Sequence, residues 1–362
     1  MVRAVRLFAL IVAAASLASA CSSSTASVAT DTTIPAPLTT LAITTTDPPT
    51  TTTEPTTTTT TEPPVVVADS VNGLEASPEA INRRAVVIKI DNSSKARPQS
   101  GLMEADLVYE MLVEGGITRF AAVFHQSDLD YVGPVRSGRP TDVGVVRPLD
   151  APFQVSGAQW WVQDIFQAAG LRMAWDRGVA TWRENHRAAP HNLYASSILL
   201  RGLADDSGWP DDNPGNVFTF GEPTVGTEPA TTVAFHWSDH PDVVWKWNGE
   251  AYERFNGDDP HMWVDREGNE GQVSVPVIVS ITGHKHWSSP PDGNGSSVPT
   301  TDTKGSGAAH VFMNGTVIEG TWQRDSYDEP LHLTTDDGNE IVLPPSRLWI
   351  AFFPHDRSIT WE

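Results

Sequence analysis

The chain of 362 residues, with 39% hydrophobic residues and 13 tryptophans, is long enough for two ordinary domains with buried cores. With a formal net charge of -21 the protein repels nucleic acids and anionic lipid headgroups at long range, so nucleic-acid binding is not expected. The single cysteine excludes an intrachain disulfide and a four-cysteine metal site.

The N-terminus has the layout of a secretory signal peptide, which we expect to cover residues 1–20. Arg3 and Arg6 precede an apolar stretch that is too short to span a membrane. Cys21 follows small residues in a pattern that resembles the lipobox of bacterial lipoproteins, although Ala18 stands where leucine is usual. The resemblance implies acylation of Cys21, with palmitate or a similar chain, and anchoring to the outer face of the cytoplasmic membrane. An ordinary cleaved signal with an unmodified thiol is the alternative.

Residues 21–66 are predicted to form a tether behind this lipid anchor. They are rich in threonine, serine and proline, as in TTTEPTTTTTTEPP, and show no apolar periodicity. Such a segment cannot bury enough surface to offset its chain entropy, so we expect disorder. In polyproline-like extension about 45 residues would reach roughly 140 Å at most. The tether would lift the folded part off the membrane and into the cell wall.

An α/β domain with a mixed sheet is predicted for residues 67–225. Three segments have the apolar pattern of strands, namely 85–91, 105–114 and 117–126, the last two joined as a hairpin across Gly115 and Gly116. Two segments have helical spacing, namely 158–170 and 196–208, the second with Ser196 as its N-cap.

A smaller β-rich domain is predicted for residues 231–362, after a linker with many prolines and glycines at 221–230. Short strand-like runs here are separated by Asn-Gly, Gly-Asp and Asp-Gly turns. The expected fold class of the whole chain is therefore α+β or mixed. Most tryptophans of this region are predicted to fill its core, while an exposed face that stacks on sugar rings is the alternative.

Five sequence blocks resemble those of the YerB-like lipoprotein family, which is catalogued as a domain of unknown function with an N-terminal and a C-terminal part. The blocks are RPQSGLMEADLVYEMLVEGGITRF (97–120), VGPVRSGRP (132–140), APHNLY (189–194), WNGEAYERF (247–255) and VFMNGTVIEGTWQR (311–324). The resemblance implies a two-part protein of the cell envelope. It implies no activity, cofactor or catalytic residue.

A looser likeness is to the LytR-CpsA-Psr wall-polymer transferases, which use arginines to hold a polyprenyl pyrophosphate. Asp106 on a strand, a hairpin return and a later arginine pair follow a similar order here. The Arg-Asp pair of those enzymes is replaced by Arg136 and Ser137. The likeness implies an envelope enzyme acting on polyprenyl-phosphate-linked or wall glycans.

Arginines at strand ends and in Gly/Pro-rich loops are the predicted ligand-binding residues. These are Arg97, Arg119, Arg136 and Arg139. A guanidinium group offers a rigid fork of donors that matches phosphate or carboxylate oxygens. We expect these cations to lie free of carboxylates and to hold an anion. The alternative is that they form structural ion pairs with nearby acids such as Glu110 and Glu114.

Glu110 and His191 are the candidates for acid-base catalysis. Glu110 and Glu114 would face one side of a strand, where two carboxylates split their pKa values or hold a divalent cation. His191 precedes Asn192 in a proline-constrained segment and is the other candidate, with a turn leading into the next helix as the alternative. Whether the protein is an enzyme stays open at this point.

Metal binding and covalent catalysis receive weaker support. His284 and His286 are two residues apart and could start a metal site with Asp258, Asp259 or His261. No closed ligand set is visible, so no metal site is assigned. Ser137 lies between two arginines but has no nucleophile elbow around it.

Three hypotheses about function follow. The first is a lipoprotein that binds a phosphate-bearing or acidic envelope component, such as a cell-wall polymer or a polyprenyl phosphate, through the arginines. The second is an envelope enzyme acting on such a molecule, with Glu110 or His191 as the acid-base residue. The third is a noncatalytic scaffold in which the arginines are structural.

Overall fold

A computed structural model describes residues 66–290 and 297–362. The predicted signal peptide, Cys21 and the tether up to residue 65 lie outside these ranges. The described residues are mostly β, with 40% strand and 13% helix, and form one large mixed sheet and several smaller sheets. Among the described helices, none has the length and apolar character needed to cross a bilayer.

The described residues contain four α-helices: α1 (Pro78–Ile81), α2 (Val143–Leu149), α3 (Trp160–Ala168) and α4 (Ser197–Asp206). The strands, in chain order, are β1 (Val67–Ala68), β2 (Glu75–Ala76), β3 (Val86–Asp91), β4 (Leu107–Leu112), β5 (Thr118–Phe124), β6 (Pro152–Gln154), β7 (Arg172–Ala174), β8 (Thr181–Arg183), β9 (Leu193–Ala195), β10 (Glu228–Pro229), β11 (Thr232–Phe235), β12 (Val243–Trp247), β13 (Tyr252–Asn256), β14 (Asp259–Pro260), β15 (Met262–Val264), β16 (Glu270–Gln272), β17 (Ser274–Val275), β18 (Val277–Gly283), β19 (Lys285–Ser288), β20 (Val298–Thr301), β21 (Gly305–Met313), β22 (Thr316–Arg324), β23 (His332–Thr335), β24 (Leu348–Pro354) and β25 (Ile359–Trp361).

The large sheet has eleven strands in the order β10-β22-β21-β18-β24-β4-β5-β3-β6-β7, with β23 paired to β22. Strands β18, β24 and β4 run parallel, as do β3, β6 and β7, and the other neighbours are antiparallel. Every residue of β4 and β24 is buried, because these central strands are covered on both faces. Strand β22, nearer the edge, instead alternates buried and exposed residues along much of its length.

Each face of the large sheet packs against a different layer. Helices α2 and α3 cover one face, where Val146 and Phe166 join the core. The other face packs against a six-stranded sheet in the order β14-β13-β12-β11-β25, with β17 paired to β13. Trp245 of that sheet contacts Trp349 of β24, with ring centroids 5.1 Å apart. The large sheet is therefore the middle layer of the fold.

The strands and helices predicted for the first half of the chain are confirmed. The segment predicted as a strand at 85–91 is β3, and β4 and β5 pair as a hairpin. Gly115 and Gly116 have φ angles of 75° and 72° in its turn, a region that glycine enters without strain. The predicted helices are α3 and α4, and the Ser196 hydroxyl caps α4 by accepting the N–H of Leu199.

The large sheet takes strands from both sides of the predicted linker. Strand β4 pairs with β24, with Leu107 opposite Leu348, and β10 within the linker segment pairs with β22. All four described helices lie before residue 207, and the elements from residue 228 onward are strands. The assignment of residues 67–225 and 231–362 to separate domains stays a prediction.

The tryptophans of the second half divide between core and surface. Trp245, Trp322 and Trp349 are buried, as predicted for core residues. Trp247 and Trp263 are half-buried and pack against the same core. Trp287 differs, since 61% of its surface is exposed.

Candidate functional site

Three of the predicted arginines lie around the end of strand β3. Arg119 on β5 is the direct cross-strand partner of Asp91, the last residue of β3. The segment around Arg136 runs along the other edge of β3, where its N–H donates to the carbonyl of Lys89 at 2.9 Å. Arg139 follows three residues later and starts a 3-10 turn. Arg119, Arg136 and Arg139 thus lie close together, because the segments that carry them are adjacent to β3, and their role in ligand binding stays a prediction.

Arg136 and Arg139 have carboxylate partners, so the expectation that they lie free of carboxylates is wrong. The Nε of Arg136 is 3.2 Å from Oδ2 of Asp91. The Nε of Arg139 is 2.6 Å from Oε2 of Glu114. The physical reason is that the end of β3 and the β4–β5 turn bring these acids to the same place as the arginines.

Arg119 is different, because no carboxylate forms an ion pair with it within residues 66–290 and 297–362. Its side chain donates to the carbonyl of Ser137 at 2.8 Å, and its buried Nε has no hydrogen-bond partner. Only 7% of the residue is exposed. Burial, with Arg139 nearby, lowers the pKa of Arg119 to about 10. The positive charge of Arg119 is therefore poorly compensated.

Lys89 adds a further cation on the same side of β3. Its Nζ is 2.5 Å from Oδ1 of Asp142, and both side chains are fully buried. Burial lowers the pKa of Lys89 to about 8, although Asp142 opposes the shift. We call Lys89, Arg119, Arg136 and Arg139 the arginine cluster. Its four cations face three carboxylates, those of Asp91, Glu114 and Asp142, so one positive charge has no ionic partner.

His191 joins this cluster through Asp91. Its Nδ1 is 2.7 Å from Oδ2 of Asp91 and 3.2 Å from the hydroxyl of Ser93. Burial would raise the pKa of Asp91, but the Ser93 N–H, His191 and Arg136 together hold it below its usual value. His191 is thus placed beside the arginines, while its predicted catalytic role stays a prediction.

Glu110 lies apart from the arginine cluster. Its oxygens accept the Thr118 hydroxyl at 2.6 Å and the indole N–H of Trp349 at 2.8 Å, and pair with Arg254 at 2.7 Å. The prediction that Glu110 and Glu114 share one site is wrong. Strand β4 ends at Leu112, so the two-residue alternation does not reach Glu114.

Arg254, which was not among the predicted site residues, is the centre of this second buried network. It is completely buried, contacts His261, and lies over the rings of Phe120 and Trp349, each 5.4 Å from its guanidinium carbon. His261 in turn bonds Gln99 at 2.7 Å. The alternation of Tyr252 and Arg254 in YERF was the available signal, because it places the arginine on the buried side of β13.

Arg97 belongs to neither ion-pair cluster. Its Nε and one terminal nitrogen each donate to Asn92 at 3.1 Å. Burial, with Arg254 nearby, lowers the pKa of Arg97 to about 10. Arg97 lines a cavity of about 350 Å³ together with residues such as His240 and Asp259.

Asp258, Asp259 and His261 were predicted as further ligands, but in the described part of the chain none of them groups with His284 and His286. His261 is buried against Gln99, and Asp259 lines the cavity beside Arg97. The carboxylate that lies beside both histidines is Asp302, eighteen residues after His284 in the chain.

Comparisons with known proteins agree with the fold and with the sequence blocks. The family model described as "Protein of unknown function (DUF3048) N-terminal domain" matches residues 71–210, and its C-terminal counterpart matches residues 231–350. The chain is 28% identical over 293 residues to "Putative lipoprotein YerB" of Bacillus subtilis (strain 168), which covers 78% of this chain and 85% of that protein.

The crystal structure of the YerB protein from Bacillus subtilis is also similar to this structure. The TM-score is 0.69 at 26% identity, and the match covers 81% of this chain and 99% of that one. Both family models and the similarity over most of the chain lead to one conclusion. The chain belongs to the YerB-like lipoprotein family of unknown function.

Proposed function

We propose that this protein is an extracytoplasmic lipoprotein, anchored through Cys21 to the outer face of the cytoplasmic membrane, that binds a phosphate-bearing or acidic envelope component at the arginine cluster. The name of its Bacillus relative, a lipoprotein, supports the location. The ligand would be a cell-wall polymer or a polyprenyl phosphate, since both carry anionic oxygens.

The observation that carries the proposal is that Arg119 is buried and forms no ion pair with a carboxylate among the described residues. A buried guanidinium without a carboxylate is costly, because burial removes its hydration. Arg119 has an unpaired buried Nε and lies near two further arginines. An anion that accepts hydrogen bonds from Arg119 would compensate the buried charge and give the unpaired Nε a partner. Each such charge-assisted bond contributes about 1.5–3 kcal/mol.

Two side chains near Arg119 are partly exposed to solvent. The side chain of Arg136 is 26% exposed and that of Glu114 is 29% exposed. The hydroxyls of Ser137 and Ser156 are 3.3 Å apart, and the N–H of Ser156 donates to the carbonyl of Arg136, so both hydroxyls lie near Arg136 and can donate to an anion. Arg136 and Arg139 would then bind the ligand while sharing their charge with Asp91 and Glu114.

The overall negative charge of the protein means that an anion can bind only at a local site. With a formal net charge of -21, the protein as a whole repels anions at long range. Binding must therefore depend on short-range contacts, which favours a specific ligand over nonspecific attraction to anionic surfaces.

The geometry supports binding more than catalysis. Glu110, one candidate for acid-base catalysis, uses its oxygens to hold Thr118, Trp349 and the charged Arg254. A carboxylate committed to a buried guanidinium is a poor proton carrier, since releasing it would strand that charge. His191 is the remaining candidate, and measured turnover would assign the acid-base role to it.

The test is a binding titration of the full chain with inorganic pyrophosphate and with vesicles that contain undecaprenyl pyrophosphate. We expect binding that Arg119→Met weakens at least about tenfold, as loss of one charge-assisted bond predicts. Arg266→Met is the matched control, because Arg266 is an exposed arginine paired with Asp130. Equal weakening by both variants, or no binding of either probe, would refute the proposal and favour the scaffold. Chemical change of the probe would instead indicate an enzyme.

A further inference from the structure

We propose that His284, His286 and Asp302 form a binding site for a divalent cation of borderline character, such as Zn²⁺. One nitrogen of each histidine and one oxygen of the aspartate lie within 4.8 Å of one another. Two imidazoles and a carboxylate are a ligand set that zinc accepts in proteins. These three residues are not members of the arginine cluster, so the proposal does not depend on the function proposed above.

The distance from each histidine to the carboxylate of Asp302 fits two ligands of one ion. Nδ1 of His284 is 3.8 Å from Oδ2 of Asp302, and Nδ1 of His286 is 3.5 Å from Oδ1 of the same carboxylate. Two tetrahedral ligands that are each about 2.1 Å from a zinc ion are about 3.4 Å apart. Direct hydrogen bonds between imidazole and carboxylate would be shorter, at about 2.7–2.9 Å.

The backbone holds the histidines on one side of the chain. His284 and His286 are two residues apart at the start of β19, and their rings are nearly parallel, with centroids 6.2 Å apart. Lys285 lies between them in sequence and pairs with Asp356 at 2.5 Å. The alternation of an extended chain therefore keeps the lysine charge away from the cation site.

Asp302 is placed by pairing of the backbone. Strand β20 ends at Thr301, opposite Lys285, and the N–H of Asp302 donates to the carbonyl of His284 at 2.9 Å. This bond fixes the aspartate beside the first histidine. The ligand distances thus depend on the β-sheet hydrogen bonds more than on flexible side chains.

The ring of His355 packs against the ring of His284. Their rings stack with centroids 4.6 Å apart, and Nδ1 of His355 accepts the N–H of Lys285 at 2.9 Å. In a neutral ring this bond leaves the proton on Nε2, so His355 positions the ligands and does not bind the ion. The three ligand side chains are 43–64% exposed, which leaves room for water to complete the coordination.

The experiment is calorimetric titration of the full chain, without a histidine tag and after treatment with EDTA, with ZnCl₂. We expect one Zn²⁺ per chain, and affinity reduced at least about tenfold by His286→Ala and by Asp302→Asn. His236→Ala is the matched control and should bind like the wild type, because His236 pairs with Asp242 at a direct hydrogen-bond distance of 2.7 Å. Excess Mg²⁺ should not compete, since it prefers oxygen ligands.

Three results would overturn the proposal: less than half an equivalent of bound Zn²⁺, unchanged affinity in Asp302→Asn, or displacement of Zn²⁺ by Mg²⁺. Circular dichroism of each variant checks the fold. Asp302→Asn keeps the size of the side chain and its backbone bond to His284, so it provides the decisive comparison if His286→Ala does not fold.

Discussion

Asp91 lies directly opposite Arg119 in the antiparallel pair of β3 and β5, but its carboxylate is held by His191 at 2.7 Å and by Arg136 at 3.2 Å. The cross-strand neighbour is thus not the ionic partner. Arg119 bonds the Ser137 carbonyl instead, and its charge forms no ion pair with a described carboxylate. This arrangement is the strongest reason to look for an anion at the end of β3.

Replacing Arg119 by methionine should leave the protein at least as stable as the wild type. The substitution removes a buried cation that forms no ion pair with a described carboxylate and puts apolar atoms in its place, so the cost of burying that charge is removed. Urea unfolding followed by circular dichroism measures the change. A loss of more than about 2 kcal/mol would mean that Arg119 is a structural residue after all.

Glu110→Gln should be strongly destabilising. The substitution leaves the fully buried Arg254 without its carboxylate, which costs about 3–5 kcal/mol for a buried pair. Asp130→Asn is the control, because the Arg266–Asp130 pair is exposed and should contribute only about 0–1 kcal/mol. The free energy of unfolding of both variants gives the comparison. Similar small losses in the two would contradict the central role of the Glu110–Arg254 pair.

The unfolding free energy should depend on pH through Lys89. Its pKa is about 8 in the folded protein and 10.5 in an ordinary setting, so between these values the unfolded chain binds the extra proton. Stability relative to Lys89→Met should therefore rise with pH from about 8 to 10.5, by at most about 1.4 kcal/mol per pH unit, and this gain is lost as pH falls through 8. Urea titrations of both proteins across this range measure the difference. Parallel pH curves would rule out the lowered pKa.

The two kinds of tryptophan should respond differently to truncation. Trp245→Ala should cost about 3–5 kcal/mol, because the ring is buried against Trp349. Trp287→Ala should change stability by less than about 0.5 kcal/mol, since most of that ring is exposed. Thermal unfolding of both variants tests this expectation. A large loss in Trp287→Ala would show that this ring is part of the core.

Local sequence patterns were sufficient for most elements of the first half of the chain. The apolar run of β3, the Gly115–Gly116 turn and the Ser196 cap depend on neighbouring residues, so they can be recognised without the fold. The lipobox-like Cys21 and the tether are also local patterns, and they remain predictions.

Only the tertiary structure decided which charges meet. Glu110 pairs with Arg254, 144 residues away, and Asp302 reaches His284 through the register of two strands. No spacing in the sequence predicts these contacts, because they depend on how distant strands align in the sheets. The sequence by itself determined where cations and carboxylates are concentrated, while long-range strand pairing determined that Arg119 is the one left without a carboxylate in the described cluster.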